Sequence, residues 1–331
     1  MLEHGGRLRA AAQQYGIPLA DWLDLSTGLA PWPFAFPAVP ASVWQRLPEV
    51  EDGLAEAAAA RYGAVAALPV AGAQAAIQLL PHIRVANSRV GIISPCYAEH
   101  AHAWQSANQQ VVQLSDADIE AQLDALDVLV LVNPNNPTGR VFTPAQLLAW
   151  HARLAARGGW LLVDEAFIDA TPELSVAGHS HLPGLIVLRS FGKFYGLAGV
   201  RLGFVLAEPT LLSELDERLG PWAVSGPARW LGLACLADEV AHQQQRVRLQ
   251  DSSQRLAKLL ADAGLSATGG CALFQWLATP KAAELHRHFA RRGILLRHFT
   301  QPPSLRFGLP ASEADWQRLR LALQDLAGSS L

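Results

Sequence analysis

Short runs of apolar, β-favouring residues recur along the first two-thirds of the chain: Val90-Gly91-Ile92-Ile93, Val128-Leu129-Val130-Leu131-Val132, Trp160-Leu161-Leu162-Val163, Leu185-Ile186-Val187-Leu188 and Leu202-Gly203-Phe204-Val205-Leu206. They are continuous rather than alternating, and most are separated by stretches long enough for a helix. That pattern predicts βαβ units whose mostly parallel sheet is covered on both faces. Between the second and third runs, Thr143 and Pro144 open a helix that closes at Gly158-Gly159, with the N-cap and the proline at their preferred places. A second helix is predicted from Ala73, with Ala76, Leu79, Leu80 and Ile83 on one side.

After about Leu215 the pattern changes to long helical stretches ending in shorter apolar segments such as Leu273–Leu277 and Gly293–Leu296. This predicts a smaller α+β domain. Its last helix starts at Ser312-Glu313-Ala314-Asp315, which resembles a capping box, and continues with Trp316, Leu319, Leu323 and Leu326 on one face. The expected organisation is an N-terminal arm over 1–40 that packs with the small domain, a large α/β domain over 41–215 and a small α+β domain over 216–331.

Composition removes several functions. With 331 residues, half of them hydrophobic, the chain can bury a large core. Its net charge of -3 and scattered arginines give no basic footprint for nucleic acid. The start lacks a basic region followed by an apolar stretch, and no segment offers the roughly 18 uncharged apolar residues of a membrane span, so the expected location is the cytoplasm. Cys96, Cys235 and Cys271 are too widely spaced for a zinc site. The histidine pairs two residues apart have no supporting cysteine or carboxylate cluster, and no metal is expected.

The candidate chemistry sits at the predicted strand ends. Lys193 lies in Ser190-Phe191-Gly192-Lys193-Phe194-Tyr195-Gly196, just past the fourth run, where open α/β sheets place their ligands. Taken alone, a lysine in a glycine-rich loop is more often a solvated surface charge. A nucleotide P-loop is excluded, because Val187 and Phe194 stand where that loop needs a glycine and a Ser or Thr. Ser190 and Arg201 make a phosphate clamp, and the amides of Ala73 and Gln74 open a helix whose positive end suits phosphate. Asn133-Pro134-Asn135-Asn136-Pro137 is a rigid turn offering amide groups to the sheet crevice. Asp164 is either a helix N-cap or a functional carboxylate. Tyr97 either packs or stacks on a flat heterocycle.

These motifs in this order resemble the fold-type I pyridoxal-phosphate enzymes of the class I/II aminotransferase superfamily, over nearly the whole chain. The resemblance implies pyridoxal 5'-phosphate as cofactor. It makes Lys193 the Schiff-base lysine, Asp164 the partner of the pyridine nitrogen, Asn136 the amide to the ring 3-oxygen and Tyr97 the stacked ring. Ala73, Gln74, Ser190 and Arg201 become the phosphate cup, and Arg306 in Ser304-Leu305-Arg306-Phe307-Gly308 becomes the substrate-carboxylate arginine. The family's sites lie between two subunits, which implies a homodimer.

Longer stretches are similar to the threonine-phosphate decarboxylases of cobalamin biosynthesis, themselves related to histidinol-phosphate aminotransferases. They are His4-Gly5-Gly6 with Asp21 to Gly28, Ser94 to His100, Ser190 to Phe204 and Gly220 to Pro227. That likeness implies loss of carbon dioxide from O-phosphothreonine to give aminopropanol phosphate. Arg306, Arg297 and His4 would hold the carboxylate and phosphate of this small phosphorylated amino acid, with Gly5 and Gly28 beside it. Three departures stand out: Phe167 where the aminotransferases have a tyrosine, Leu47 where a tyrosine precedes a proline, and Gly28 and Ala30 where the decarboxylases have asparagines. The alternatives are histidinol-phosphate aminotransferase activity and a non-catalytic regulator of the same fold. The regulator would need a DNA-binding domain, for which the first 40 or so residues are too few and not basic.

Overall fold

The computed structural model describes residues 4–328. Its strands, in chain order, are β1 (Leu23–Leu25), β2 (Leu68–Val70), β3 (Arg89–Ile93), β4 (Gln110–Leu114), β5 (Val128–Val132), β6 (Trp160–Asp164), β7 (Leu185–Ser190), β8 (Gly203–Leu206), β9 (Gly269–Cys271), β10 (Phe274–Ala278), β11 (Ile294–Thr300) and β12 (Pro303–Gly308). By contact the chain divides into two units. The larger takes Pro33–Asn136 and Val141–Gln244; the smaller takes the described residues up to Trp32, Pro137–Arg140 and those from Gln245 on.

The larger unit is built on a seven-stranded sheet of order β2-β8-β7-β6-β5-β3-β4. Strands β3 to β7 pair in parallel, as the apolar runs predict. Strand β8 is antiparallel to β7, and β2 is antiparallel to β8. The link from β7 to β8 carries only the single turns Phe191–Phe194 and Ala198–Val200, not the crossover helix a parallel return requires. Both β2 and β4 lie at sheet edges and escape the apolar pattern. Pro69 is tolerated in β2 because an edge strand can spare a donor, and β4 interleaves glutamines with its valines.

Helix Ala73–Ile83 buries Ala76, Ile77 and Leu80 in one cluster with Val90, Val128, Leu162, Ile186 and Val205. Leu211, Leu212 and Leu215 of helix Pro209–Leu219 join the same cluster. The change of pattern near Leu215 therefore marks the end of the last strand rather than the end of the unit, which continues through helix Gly226–Leu236. Thr143 caps its helix as expected: the Gln146 amide donates to its hydroxyl at 3.3 Å and the Gln146 side chain accepts from the Thr143 amide at 3.0 Å.

The smaller unit holds a five-stranded sheet of order β1-β11-β12-β10-β9, antiparallel except for β1 against β11. Residues of the expected N-terminal arm thus supply an edge strand. Helix Ala282–Ala290 packs on one face through Phe289, edge-on to Phe307 at 5.6 Å. Helix Glu313–Gly328 is capped reciprocally by Ser312 and Asp315, and buries Trp316, Leu319 and Leu323. Among the described residues no helix is long and apolar enough to cross a membrane, and no cluster of three or more potential metal ligands forms.

Candidate active site

The parallel strands β5, β6 and β7 end side by side, and the predicted cofactor residues follow from those ends. Asp164 closes β6 and is 3% exposed. Its Oδ1 accepts from the Ala166 amide at 3.0 Å, and its Oδ2 lies 3.0 Å from His100 Nε2. An ionised carboxylate only accepts, so His100 carries a proton on Nε2. Asp164 is thus a buried carboxylate held by a side chain of helix Ala98–Ser106, which is more than an N-cap needs.

Ser190 ends β7 and pairs in register with Gly203 at the start of β8. A Cβ on Gly203 would stand 2.5 Å from the Ala73 nitrogen, so the first amide of helix Ala73–Ile83 lies against the Ser190 end of the sheet. No side chain caps that helix. Gly72, with φ 77°, lets the guanidinium of Arg201 close over it: a Cβ there would be 2.7 Å from Arg201 Nη2. Helix amides, Ser190 and Arg201 thereby form a cradle with the charge and donors that a phosphate monoester demands.

Tyr97 is half-buried and donates from its hydroxyl to Gln74 Oε1 at 3.1 Å, while Gln74 Nε2 donates to Glu99 Oε2 at 2.9 Å. Gln74 therefore spends its side chain on fixing Tyr97 and offers the cradle its backbone amide. Burial, then the charges of Glu99 and Asp164, push the Tyr97 phenol up to about 12, so it stays protonated. The Asn133 side chain closes its own turn with Phe142 in two bonds, at 3.1 and 2.8 Å, and Asn135 Nδ2 donates to the Pro95 carbonyl at 2.9 Å, tying the Asn136 turn to the Tyr97 loop. Lys193 is half-buried in the one-turn helix Phe191–Phe194, its Nζ 5.7 Å from the centre of the Phe167 ring.

The predicted substrate residues gather in the smaller unit. Arg306 on β12 is 6% exposed, pairs in register with Arg297 on β11, and donates from Nη2 to the Ser26 carbonyl at 2.8 Å. Burial, then the neighbouring charge of Arg297, lowers Arg306 to about 10, a site that gains from an incoming anion. Ser26 also anchors the N-terminal segment: Gly6 N–H donates to its hydroxyl at 2.7 Å, and a Cβ on Gly5 would stand 2.5 Å from its carbonyl oxygen. His4, Gly5, Ser26 and Arg297 line one cavity of about 310 Å³, and Gly28 is buried two residues beyond Ser26.

Sequence reasoning missed His100 and Ser26. His100 had a signal, since with Ala103 and Trp104 it falls at helical spacing on the buried face of Ala98–Ser106. Ser26 contributes mainly through its backbone, which composition cannot reveal.

The family model for aminotransferase class I and II matches residues 44–323. The chain belongs to the class I and II aminotransferase family. Within curated relatives of this aminotransferase family, it is 62% identical over 323 residues to a threonine-phosphate decarboxylase of Pseudomonas aeruginosa, covering 98% of this chain and 97% of that protein. It is 46% identical to a threonine-phosphate decarboxylase of a Sinorhizobium species over 97% of both chains. Among solved structures, a histidinol-phosphate aminotransferase from Clostridium acetobutylicum superposes with a TM-score of 0.81 over 92% of this chain and 99% of that one. At 20% identity this last likeness shows the fold that family members share.

Proposed function

We propose that the protein is a pyridoxal-phosphate-dependent threonine-phosphate decarboxylase, converting L-threonine O-3-phosphate to (R)-1-amino-2-propanol O-2-phosphate and carbon dioxide for the aminopropanol arm of cobalamin. The observation that carries this reading is the 62% identity, over 98% of the chain, to a protein of that activity. The residues present fit the cofactor: a phosphate cradle, a buried carboxylate, a stackable ring and a lysine stand at adjoining strand ends.

When bound, the cofactor supplies an electron sink for bonds at the substrate α-carbon. In this reading Lys193 anchors it, and Asp164, oriented by His100, holds a proton at the pyridine nitrogen. Ala73, Gln74, Ser190 and Arg201 bind its phosphate, Asn136 its 3-oxygen, and Tyr97 covers its face. Arg306 grips the substrate carboxylate bidentately, while Arg297 and His4, beside Gly5 and Gly28, take the phosphate. Once the carboxylate has left as carbon dioxide, Lys193 returns a proton to the α-carbon.

Mixing the purified protein with O-phosphothreonine is expected to release carbon dioxide with no keto-acid acceptor present. Turnover of histidinol phosphate with 2-oxoglutarate, without carbon dioxide from O-phosphothreonine, would replace this reading by amino transfer.

We further propose a cytoplasmic homodimer. Phe36, Trp44, Leu47 and Val50 are exposed along one short stretch of the larger unit, and Trp222 is 55% exposed, an apolar display that single chains seldom leave open. Light scattering is expected to give twice 35.6 kDa, and Trp44→Glu to shift the mass toward one chain. A single-chain mass for the unsubstituted protein would refute the dimer.

A further inference from the structure

The turn that carries Lys193 is clamped from below by aromatic rings. Phe191, Phe194 and Tyr195 are each at most 1% exposed, while Lys193 among them is half-buried. Phe191 lies parallel on Tyr195 at 4.2 Å, and Phe194 lies parallel to the His242 imidazole at 6.0 Å and 7°. Phe34 stands edge-on to Tyr195 at 4.9 Å and donates its amide to the Tyr195 carbonyl at 2.9 Å. His242 comes from the first turn of helix Glu239–Asp262, whose start is tied down by the Arg61–Glu239 ion pair. His242 Nε2 lies 2.9 Å from the Tyr195 hydroxyl.

The protonation states of that pair follow from their surroundings. Burial, then the positive charge of Arg61, lowers His242 to about 4, so its ring is neutral near pH 7. Burial raises Tyr195 well above its ordinary value, with Tyr62 and Asp169 adding to the effect, so the hydroxyl keeps its proton. With both groups neutral, the Tyr195 hydroxyl and the His242 imidazole share one hydrogen bond, from oxygen to Nε2 or from Nε2 to oxygen. Ring packing tolerates small rotations of a one-turn helix, whereas a hydrogen bond fixes direction.

Packing alone gives no reason for this pair. A buried hydroxyl and imidazole add little stability over apolar rings of the same shape, because replacing both partners of a buried hydrogen bond is close to neutral. We propose that His242, acting through the Tyr195 hydroxyl, is a positioning residue that sets the rotation of the Phe191–Phe194 turn and so the direction in which Lys193 presents its Nζ. The inference rests on the reading of Lys193 as the residue that binds the cofactor covalently.

The test compares the holoenzyme with Tyr195→Phe, His242→Leu, the double variant and His242→Gln, whose amide oxygen stands near the place of Nε2. Two quantities are read: the pH midpoint of the visible band of the Lys193–cofactor linkage, and the rate at which apoprotein re-forms that linkage on adding pyridoxal phosphate. Each single loss of the hydrogen bond is expected to move the midpoint in the same direction and to slow re-formation on the order of tenfold, within the range that small misplacements cost. The double variant should add nothing to either single and, having lost both partners, should melt within a few degrees of the unsubstituted protein, and His242→Gln should recover most of the rate.

Wild-type midpoint and rate in both single variants, or independent effects that add in the double variant, would overturn the inference. Tyr195→Phe removes one oxygen only and decides the matter should His242→Leu fail to fold. If the unsubstituted protein shows no visible band, the reading of Lys193 fails; a band present but unmoved by these substitutions defeats the positioning role alone.

Discussion

Lys193→Ala is expected to abolish the visible band of the cofactor linkage and to lower carbon dioxide release from O-phosphothreonine on the order of 10⁴-fold. That is the upper end of what a positioned proton-transfer group contributes, because on the proposed function covalent anchoring and proton return would disappear together. Stability should change little. Lys193 is half-buried in a turn fixed by Phe191, Phe194 and Tyr195, none of which the substitution touches. The phosphate cradle of Ala73, Gln74, Ser190 and Arg201 is also left intact, so the variant should still bind pyridoxal phosphate, reversibly, by equilibrium dialysis. Decarboxylation retained within tenfold would show that another group performs the proton transfer.

The same turn shows what a sequence can and cannot disclose. Strands β3, β5, β6 and β7 were legible because sheets covered on both faces demand unbroken apolar runs, and their ends pointed to Tyr97, Asn136, Asp164 and Lys193 in turn. Direction is another matter. The run Leu202–Leu206 reads like its neighbours, and only the absence of a crossover helix after Ser190 makes β8 antiparallel. Edge strands hide for the opposite reason, since β2 and β4 are paired on one side and are free to carry Pro69 or glutamines.

Long-range contacts were the least legible. Pro137–Arg140 groups with the smaller unit because Gly139, at φ 73°, lets its backbone meet Gly270: a Cβ there would run into the Gly270 carbonyl. Nothing local in Pro137-Thr138-Gly139-Arg140 announces a partner 131 positions away. His100 was hidden in the same manner. Its place on an apolar face matches a satisfied core histidine, and its true partner, Asp164, lies 64 residues on. Arg306 was found through family likeness, but the Ser26 carbonyl that aims its guanidinium belongs to a backbone the residue type does not reveal.

Asp164 allows charge and packing to be separated. Asp164→Asn keeps the shape and an acceptor for the Ala166 amide, and His100 can retain its contact by offering the other tautomer to the new amide. What disappears is the negative charge that, in the proposed function, would hold a proton on the pyridine nitrogen. Carbon dioxide release is therefore expected to fall on the order of 10²–10³-fold, the size of losing one preorganised electrostatic contact, with the melting temperature almost unchanged. Asp164→Ala should be as slow and also less stable. It strands the His100 Nε2 donor and the Ala166 amide in a buried setting, at about 1–3 kcal/mol for each unsatisfied group, or roughly 2–4 °C in melting temperature per kcal/mol for a domain of this size. Equal melting of the two variants would show that His100 finds water or another acceptor. Near-normal turnover by Asp164→Asn would show that hydrogen bonding at position 164, rather than its charge, is what the reaction needs.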